Sequence, residues 1–246
     1  MRILAIAAHP DDLEFGIGGS VARWTLEGAD VSYCLVTDGS AGSNDPNTDP
    51  TKLIQLRRDE QMAAAAVVGV EDVHFLGYKD GTLQPTIELR RDLTRLIRKL
   101  KPDRVITMDP TVIFVDAEGY INHPDHRASA EAAIYATFPS AETRPIFPEL
   151  LDEGLEPHKV AELWLMFSEK PNAVVDITET MDRKIESLRC HASQVGGQDL
   201  EFVRKWSAYA GKETGYAYAE SFRVLKLIQP EQSEVPETVS EAAKEA

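Results

Sequence analysis

The chain is short of cysteine, of positive charge and of long apolar runs. Two cysteines among 246 residues, Cys34 and Cys190, make neither a disulfide framework nor a cysteine-based zinc site. Cys34 lies in an apolar run and is expected to be a buried small hydrophobe. Lys and Arg number 26 against 41 Asp and Glu, a formal net charge of −15. Such a surface repels phosphate backbones and anionic lipid, so neither nucleic acid nor a membrane is an expected partner, and anionic substrates are disfavoured. Part of that acidity belongs to the last stretch, "PEQSEVPETVSEAAKEA". No 18-residue apolar stretch is present, so no membrane-spanning segment is expected. The opening "MRILAIAAHPDD" has a short apolar run that ends in charges, which fits a strand better than a signal peptide. The cytoplasm is then the default compartment.

What is present suits one large domain. The composition, 43% hydrophobic and 27% charged, is that of a globular protein able to bury a full core. Apolar runs at 2–8, 31–39, 72–78 and 104–110 predict four strands. Helical patterns at 18–30, 53–70, 87–103 and 123–138 follow them in turn. Strand alternating with helix predicts a Rossmann-like α/β three-layer sandwich with a mainly parallel sheet. Residues 139–160, rich in Pro and Glu, are expected to be an excursion loop. Further strands are expected at 162–168, 173–178 and 217–227, with a helix at 180–194. Residues 1–228 form the expected single domain. Residues 229–246 are an expected disordered acidic tail.

In an open parallel sheet, ligands sit beyond the carboxyl ends of the strands. Four polar clusters fall at such ends: "HPDD" (9–12), "TDGSAG" (37–42), "YKDG" (78–81) and the segment from "MDP" (108–110) to "NHPDH" (122–126). One reading of "EFGIGGS" is a phosphate loop, with Asp38 as the ribose acid. The spacing of Gly16, Gly18 and Gly19 does not match G-x-G-x-x-G, because position 21 is Val. The plainer reading is that Gly18 and Gly19 allow the helix start to pack closely.

The metal reading draws on more residues. His9, Asp11 and Asp12 form one cluster; His123, Asp125 and His126 form another. Both contain His-Pro-Asp, and proline restricts the backbone on either side of it. Two imidazoles and a carboxylate suit a catalytic zinc with one coordination position open. The competing reading makes these residues turn and helix-capping groups, with Asp11 or Asp12 as an N-cap.

"AHPDDLEFGIGG" together with "NHPDHRAS" resembles the PIG-L/LmbE family of zinc-dependent N-deacetylases. "TDGSAG", "RRDEQMAAAAVVGV", "LGYKDGTL" and "HASQ" follow as further family landmarks in order, so the resemblance covers residues 3–195. It implies Zn2+ bound by His9, Asp12 and His126, with Asp11 as general base. It implies His123 as a protonated oxyanion partner or general acid, and Asp125 as a residue orienting a neighbouring histidine. Arg57 falls where the family has a substrate-binding arginine, with an Arg57–Glu60 surface pair as the plainer account. Asp80 is a candidate for binding sugar hydroxyls or a turn residue before Gly81. His191 is left between reaching the site and sitting satisfied in the core; His74 is expected to be structural. Leu13 stands where some members carry Glu, and Glu14 comes one position later.

The implied activity is deacetylation of an N-acetylglucosamine-type sugar or conjugate, releasing acetate and an amine. Alternatives are an amidase of a thiol-sugar conjugate or a deacylase of a glycosylated natural product. A non-catalytic carbohydrate- or nucleotide-binding module is the third. The substrate is a small molecule in the first two. The apolar run 162–168 is a candidate contact for a homo-oligomer.

Overall fold

A computed structural model describes residues 1–115 and 119–228; the predicted tail at 229–246 lies outside them. Seven strands form one sheet in the order β3-β2-β1-β4-β7-β9-β8. These are β1 (Arg2–Ala7), β2 (Asp30–Thr37), β3 (Asp72–Tyr78), β4 (Arg104–Met108), β7 (Glu162–Met166), β8 (Ala173–Asp176) and β9 (Ala219–Lys226). β3, β2, β1, β4 and β7 are parallel. β9 runs antiparallel to both β7 and β8. Two short strands, β5 (Phe114–Val115) and β6 (Tyr120–Ile121), form a separate antiparallel pair in the loop after β4.

β1 shows why the central strands are continuously apolar. Ile3, Ala5 and Ala7 pack with one cluster, under α1 (Asp12–Leu26) and α2 (Pro50–Val67). Leu4 and Ile6 pack with the other, under α3 (Ile87–Leu100) and α4 (Pro124–Tyr135). A parallel strand covered on both faces has no polar side to alternate with. α3 lays Leu89, Leu93, Leu96 and Ile97 on that second face. Thr86 caps it by accepting from Leu89 N, and Lys101 closes it in the left-handed region just before Pro102.

Five features differ from the sequence reading. α1 begins at Asp12, so the glycines lie inside the helix rather than ahead of it. The reason is contact: a Cβ at Gly16 would stand 2.4 Å from Met166 Sδ, and one at Gly19 would stand 2.6 Å from Ile177 Cδ1. α2 starts at Pro50, three residues earlier than expected, where Asp49 accepts from Thr51 N. The 139–160 segment is packed rather than open. It contains α5 (Glu149–Asp152), and the buried Arg98 guanidinium donates to the carbonyls of Ser140, Ala141, Thr143 and Ile146. The expected helix at 180–194 is two pieces, α6 (Met181–Cys190) and α7 (Ala192–Val195), broken at His191. A further helix, α8 (Glu201–Gly211), was not expected.

Candidate metal centre

β1 and β4 are neighbours whose following helices cover opposite faces of the sheet, and β2 lies on the other side of β1. The chain therefore leaves a crevice at the carboxyl end of β1, the usual ligand position in such sheets. His9 stands there two residues after β1. His123 caps α4 directly across from it. The imidazole centroids of His9 and His123 are 4.8 Å apart, those of His9 and His126 5.1 Å, and those of His123 and His126 5.3 Å. The two motifs, more than a hundred residues apart in sequence, meet.

Asp12 lies between two of these rings. Its Oδ2 is 3.4 Å from His9 Nδ1 and its Oδ1 is 3.1 Å from His126 Nε2. Oδ2 also accepts the His9 amide at 2.8 Å. The remaining nitrogen of each ring is already engaged. His9 Nε2 is 3.0 Å from Asp80 Oδ1 and 3.5 Å from Asp125 Oδ2. His126 Nδ1 is 3.0 Å from Asn122 Oδ1. Metal-binding histidines are characteristically fixed in this way, by a carboxylate or carbonyl on the far nitrogen. Two imidazole nitrogens thus face one carboxylate, each toward a different oxygen, with their outer atoms satisfied, and two histidines with a carboxylate are a donor set that fits zinc. Two groupings bring one ligand atom from each residue within 4.8 Å of one another: His9 with His123 and His126, and His9 with Asp80 and Asp125.

His123 is disposed differently. The Asp125 amide donates to its Nδ1 at 3.2 Å, so the proton of the neutral ring is carried on Nε2. Burial, and then the charges of His9 and His126, lower its pKa. That lowering favours the neutral ring, with Nε2–H as its donor, over the protonated one that the family resemblance implies.

Asp11 has a conformation unusual for a non-glycine residue, with φ 101° and ψ −28°. Its carboxylate shares no contact with the ligand atoms and stands 3.4 Å from Arg57 Nη2. Burial, and then the adjacent Asp12, push its pKa up to about 7. At neutral pH the protein's own charges thus leave it only partly ionised, and a divalent cation beside Asp12 would draw the pKa down. Burial opposes ionisation of Asp12 as well, yet His126 and His9 hold it well below the usual carboxylate range. Burial lowers His9, but Asp12, Asp125 and Asp80 outweigh it and raise the ring to about 12.

Arg57 and Asp80 are buried beside the site, with polar atoms of each engaged by the protein itself. Arg57 is 3% exposed. It donates to Pro10 O at 2.7 Å and to Gly39 O at 3.0 Å, clasping the "HPDD" turn. Glu60 does not pair with it; it accepts from the amide and hydroxyl of Ser193. Asp80 gives one oxygen to His9 and accepts the Ala41 amide with the other at 2.9 Å. Asp125 accepts the Gly81 and Leu83 amides at 2.7 and 3.1 Å, which joins the "YKDG" turn to α4. Asp38 accepts the Ser40 and Asp80 amides. With the glycines inside α1, the phosphate-loop reading loses both its parts. His191 does not reach the rings; it lies 3.1 Å from Glu14. His74 pairs with Asp72, and His158 with the Pro102 carbonyl.

A cavity of about 590 Å³ opens from Asp12 and His126. Phe15, Phe167, Phe202 and Trp206 wall it, and Phe202 and Trp206 meet edge to face at 4.9 Å. Its lysine, Lys184, is held 2.5 Å from Glu220 and donates to Phe15 O. The sequence reading missed Asn122, Gln61 and this aromatic wall, and named Glu14 without a role. Of the missed residues Asn122 carried a signal, because it stands four residues before His126 within "NHPDH".

A three-layer α/β fold with a histidine–carboxylate cluster at the switch point of its sheet defines a Rossmann-like protein with a site that could bind a metal ion. Residues 4–137 match the PIG-L family model, described as GlcNAc-PI de-N-acetylase, and the chain belongs to that family. It is 34% identical to diacetylchitobiose deacetylase of Thermococcus kodakarensis, over 92% of this chain and 84% of that one. The N,N'-diacetylchitobiose deacetylase of Pyrococcus horikoshii, solved with its inhibitor MPG, superimposes with a TM-score of 0.84 at 33% identity. That match also covers 92% of this chain and 84% of the other. A probable N-acetyl-alpha-D-glucosaminyl L-malate deacetylase 2 of Bacillus anthracis is 28% identical, over 83% of this chain and 86% of its own.

Proposed function

We propose that the protein is a zinc-dependent hydrolase that removes the acetyl group from an N-acetylglucosamine-type sugar or neutral sugar conjugate, releasing acetate and a free amine. The observation that carries this reading is the placement of Asp12 between His9 Nδ1 and His126 Nε2, with the far nitrogens already engaged. Deacetylase relatives that align along most of the chain support it.

His9, Asp12 and His126 would hold the ion. When bound, zinc supplies a Lewis acid for the amide carbonyl and an acidified water. Asp11 takes the proton of the attacking water, because its carboxylate is adjacent to the ligand set yet outside it. His123 Nε2–H donates to the oxygen on which negative charge develops, and a fixed donor of this kind contributes about 3–4 kcal/mol. The proton held by Asp11 is then the one at hand for the leaving amine. Asp80 and Asp125 hold the His9 ring.

The cavity supports an uncharged leaving part. Its aromatic faces offer the flat apolar surface against which the C–H face of a sugar packs. Lys184, already paired, has no charge to offer a carboxylate or phosphate. Among the described residues no helix is long and apolar enough to cross a membrane, which supports a substrate in aqueous solution.

Amine release should be measured from N-acetylglucosamine, N,N'-diacetylchitobiose and an anionic N-acetylglucosaminide, before and after chelation. The expected result is turnover of the neutral compounds, lost in chelator and restored by zinc. Sugar binding with no amine release under any metal condition would overturn the reading in favour of a binding module.

A further inference from the structure

Behind Asp11 runs a chain of buried polar groups that ends on its backbone. The Asp11 amide donates to Gln61 Oε1 at 3.1 Å. Gln61 Nε2 donates to Glu14 Oε1 at 2.9 Å. Glu14 Oε2 is 3.1 Å from His191 Nε2. Gln61, Glu14 and His191 are each fully buried. They come from α2, α1 and the α6–α7 junction. Among the described residues Glu14 is the sole polar partner of the His191 ring, since Nδ1 has none.

Packing alone does not call for these groups. An apolar trio of similar volume would hold three helices together at least as well as a buried carboxylate and imidazole. What the polar trio adds is direction. A glutamine amide placed between two neighbours can present either its oxygen or its nitrogen to each. A carboxylate only accepts, so Glu14 draws the NH2 end of Gln61 and leaves the oxygen facing Asp11. His191 fixes the carboxylate in turn. The oxygen so aimed receives an amide whose residue sits at φ 101°, a region that persists only where the surroundings over-determine it.

We infer that His191, Glu14 and Gln61 are positioning residues: a buried relay that sets the amide orientation of Gln61 and so holds Asp11 in its left-handed conformation, with its carboxylate clear of the ligand set. The inference rests on the proposed function for Asp11's role as base, but not for the geometry it describes.

The test is Gln61→Met, close in shape and without the amide, in the full chain. Its crystal structure should show Asp11 at negative φ. Zinc stoichiometry should match the wild type. kcat should fall about 10- to 100-fold, as expected for a misplaced catalytic group, with KM within about twofold. Glu14→Gln, which still presents a carbonyl to Gln61 and an amide to His191, should retain kcat, whereas Glu14→Leu should behave as Gln61→Met does. The relay is overturned if Asp11 keeps its φ and kcat without Gln61, or if Glu14→Gln is as damaging as Glu14→Leu. Should Gln61→Met not fold, hydrogen exchange of the wild type decides: slow exchange at the Asp11 amide supports the relay and free exchange refutes it. Were the wild type inactive on every N-acetylglucosamine compound, the proposed function would fail, while the Asp11 backbone in the variant would still decide the relay.

Discussion

At the scale of single residues, two adjacent aspartates share one turn and have opposite environments. Asp12 meets His9 and His126, which favour its charge; Asp11 meets burial and Asp12, which oppose it. Separated pKa values in neighbouring acids are the usual mark of divided roles. Asp11→Ala should therefore keep zinc while losing at least about a hundredfold in turnover, the scale of general base catalysis. Asp12→Ala should lose both metal and activity. Metal analysis of the two purified variants, paired with rate measurements, checks this; loss of zinc from the Asp11 variant would make Asp11 a ligand. The "HPDD" and "HPDH" groups were legible in sequence because proline turns fix their aim over a few residues. Arg57 and Asp80 were legible as polar residues worth naming, but not as residues that face inward. Their partners are a carbonyl 18 residues away and an imidazole 71 residues away, and no local pattern encodes those contacts.

Elements were legible where their buried face is apolar. α3 shows this: its leucines announce it. α8 buries Val203, Ser207 and Gly211, a stripe too small and polar to register as a core face, and so it was missed. α1 was expected six residues late because three glycines suggest a loop. They are there for contact. Gly18 and Gly19 separate the two effects that a glycine has within a helix. A Cβ at Gly18 would meet nothing closer than Lys184 Cγ at 3.4 Å, an ordinary contact. One at Gly19 would lie 2.6 Å from Ile177 Cδ1 and 2.8 Å from its Cβ. Gly18→Ala should thus be neutral or stabilising by up to about 1 kcal/mol through helix propensity. Gly19→Ala should destabilise by about 1–3 kcal/mol through overpacking. Urea unfolding of both variants checks the contrast, and equal effects would remove the packing account.

At the scale of the whole molecule, alternating strands and helices made the parallel sheet legible, and with it the edge where the polar clusters gather. The insertion of β9 between β7 and β8 was not legible, because an antiparallel pairing across 50 or so residues leaves no period in the sequence. The aromatic cavity belongs to the same class of feature: α1, α8 and the loop after β7 meet only in three dimensions. What the sheet order does fix is that β1 and β4 are neighbours, and this brings His9 and Asp12 to His126. The most direct measurement of that convergence is anomalous diffraction at the zinc edge from crystals of the zinc-loaded protein. The account predicts one peak bounded by His9 Nδ1, Asp12 and His126 Nε2, with the Asp11 carboxylate outside the coordination sphere. A peak on the far side of the ring, among His9 Nε2, Asp80 and Asp125, or no peak at all, would contradict it.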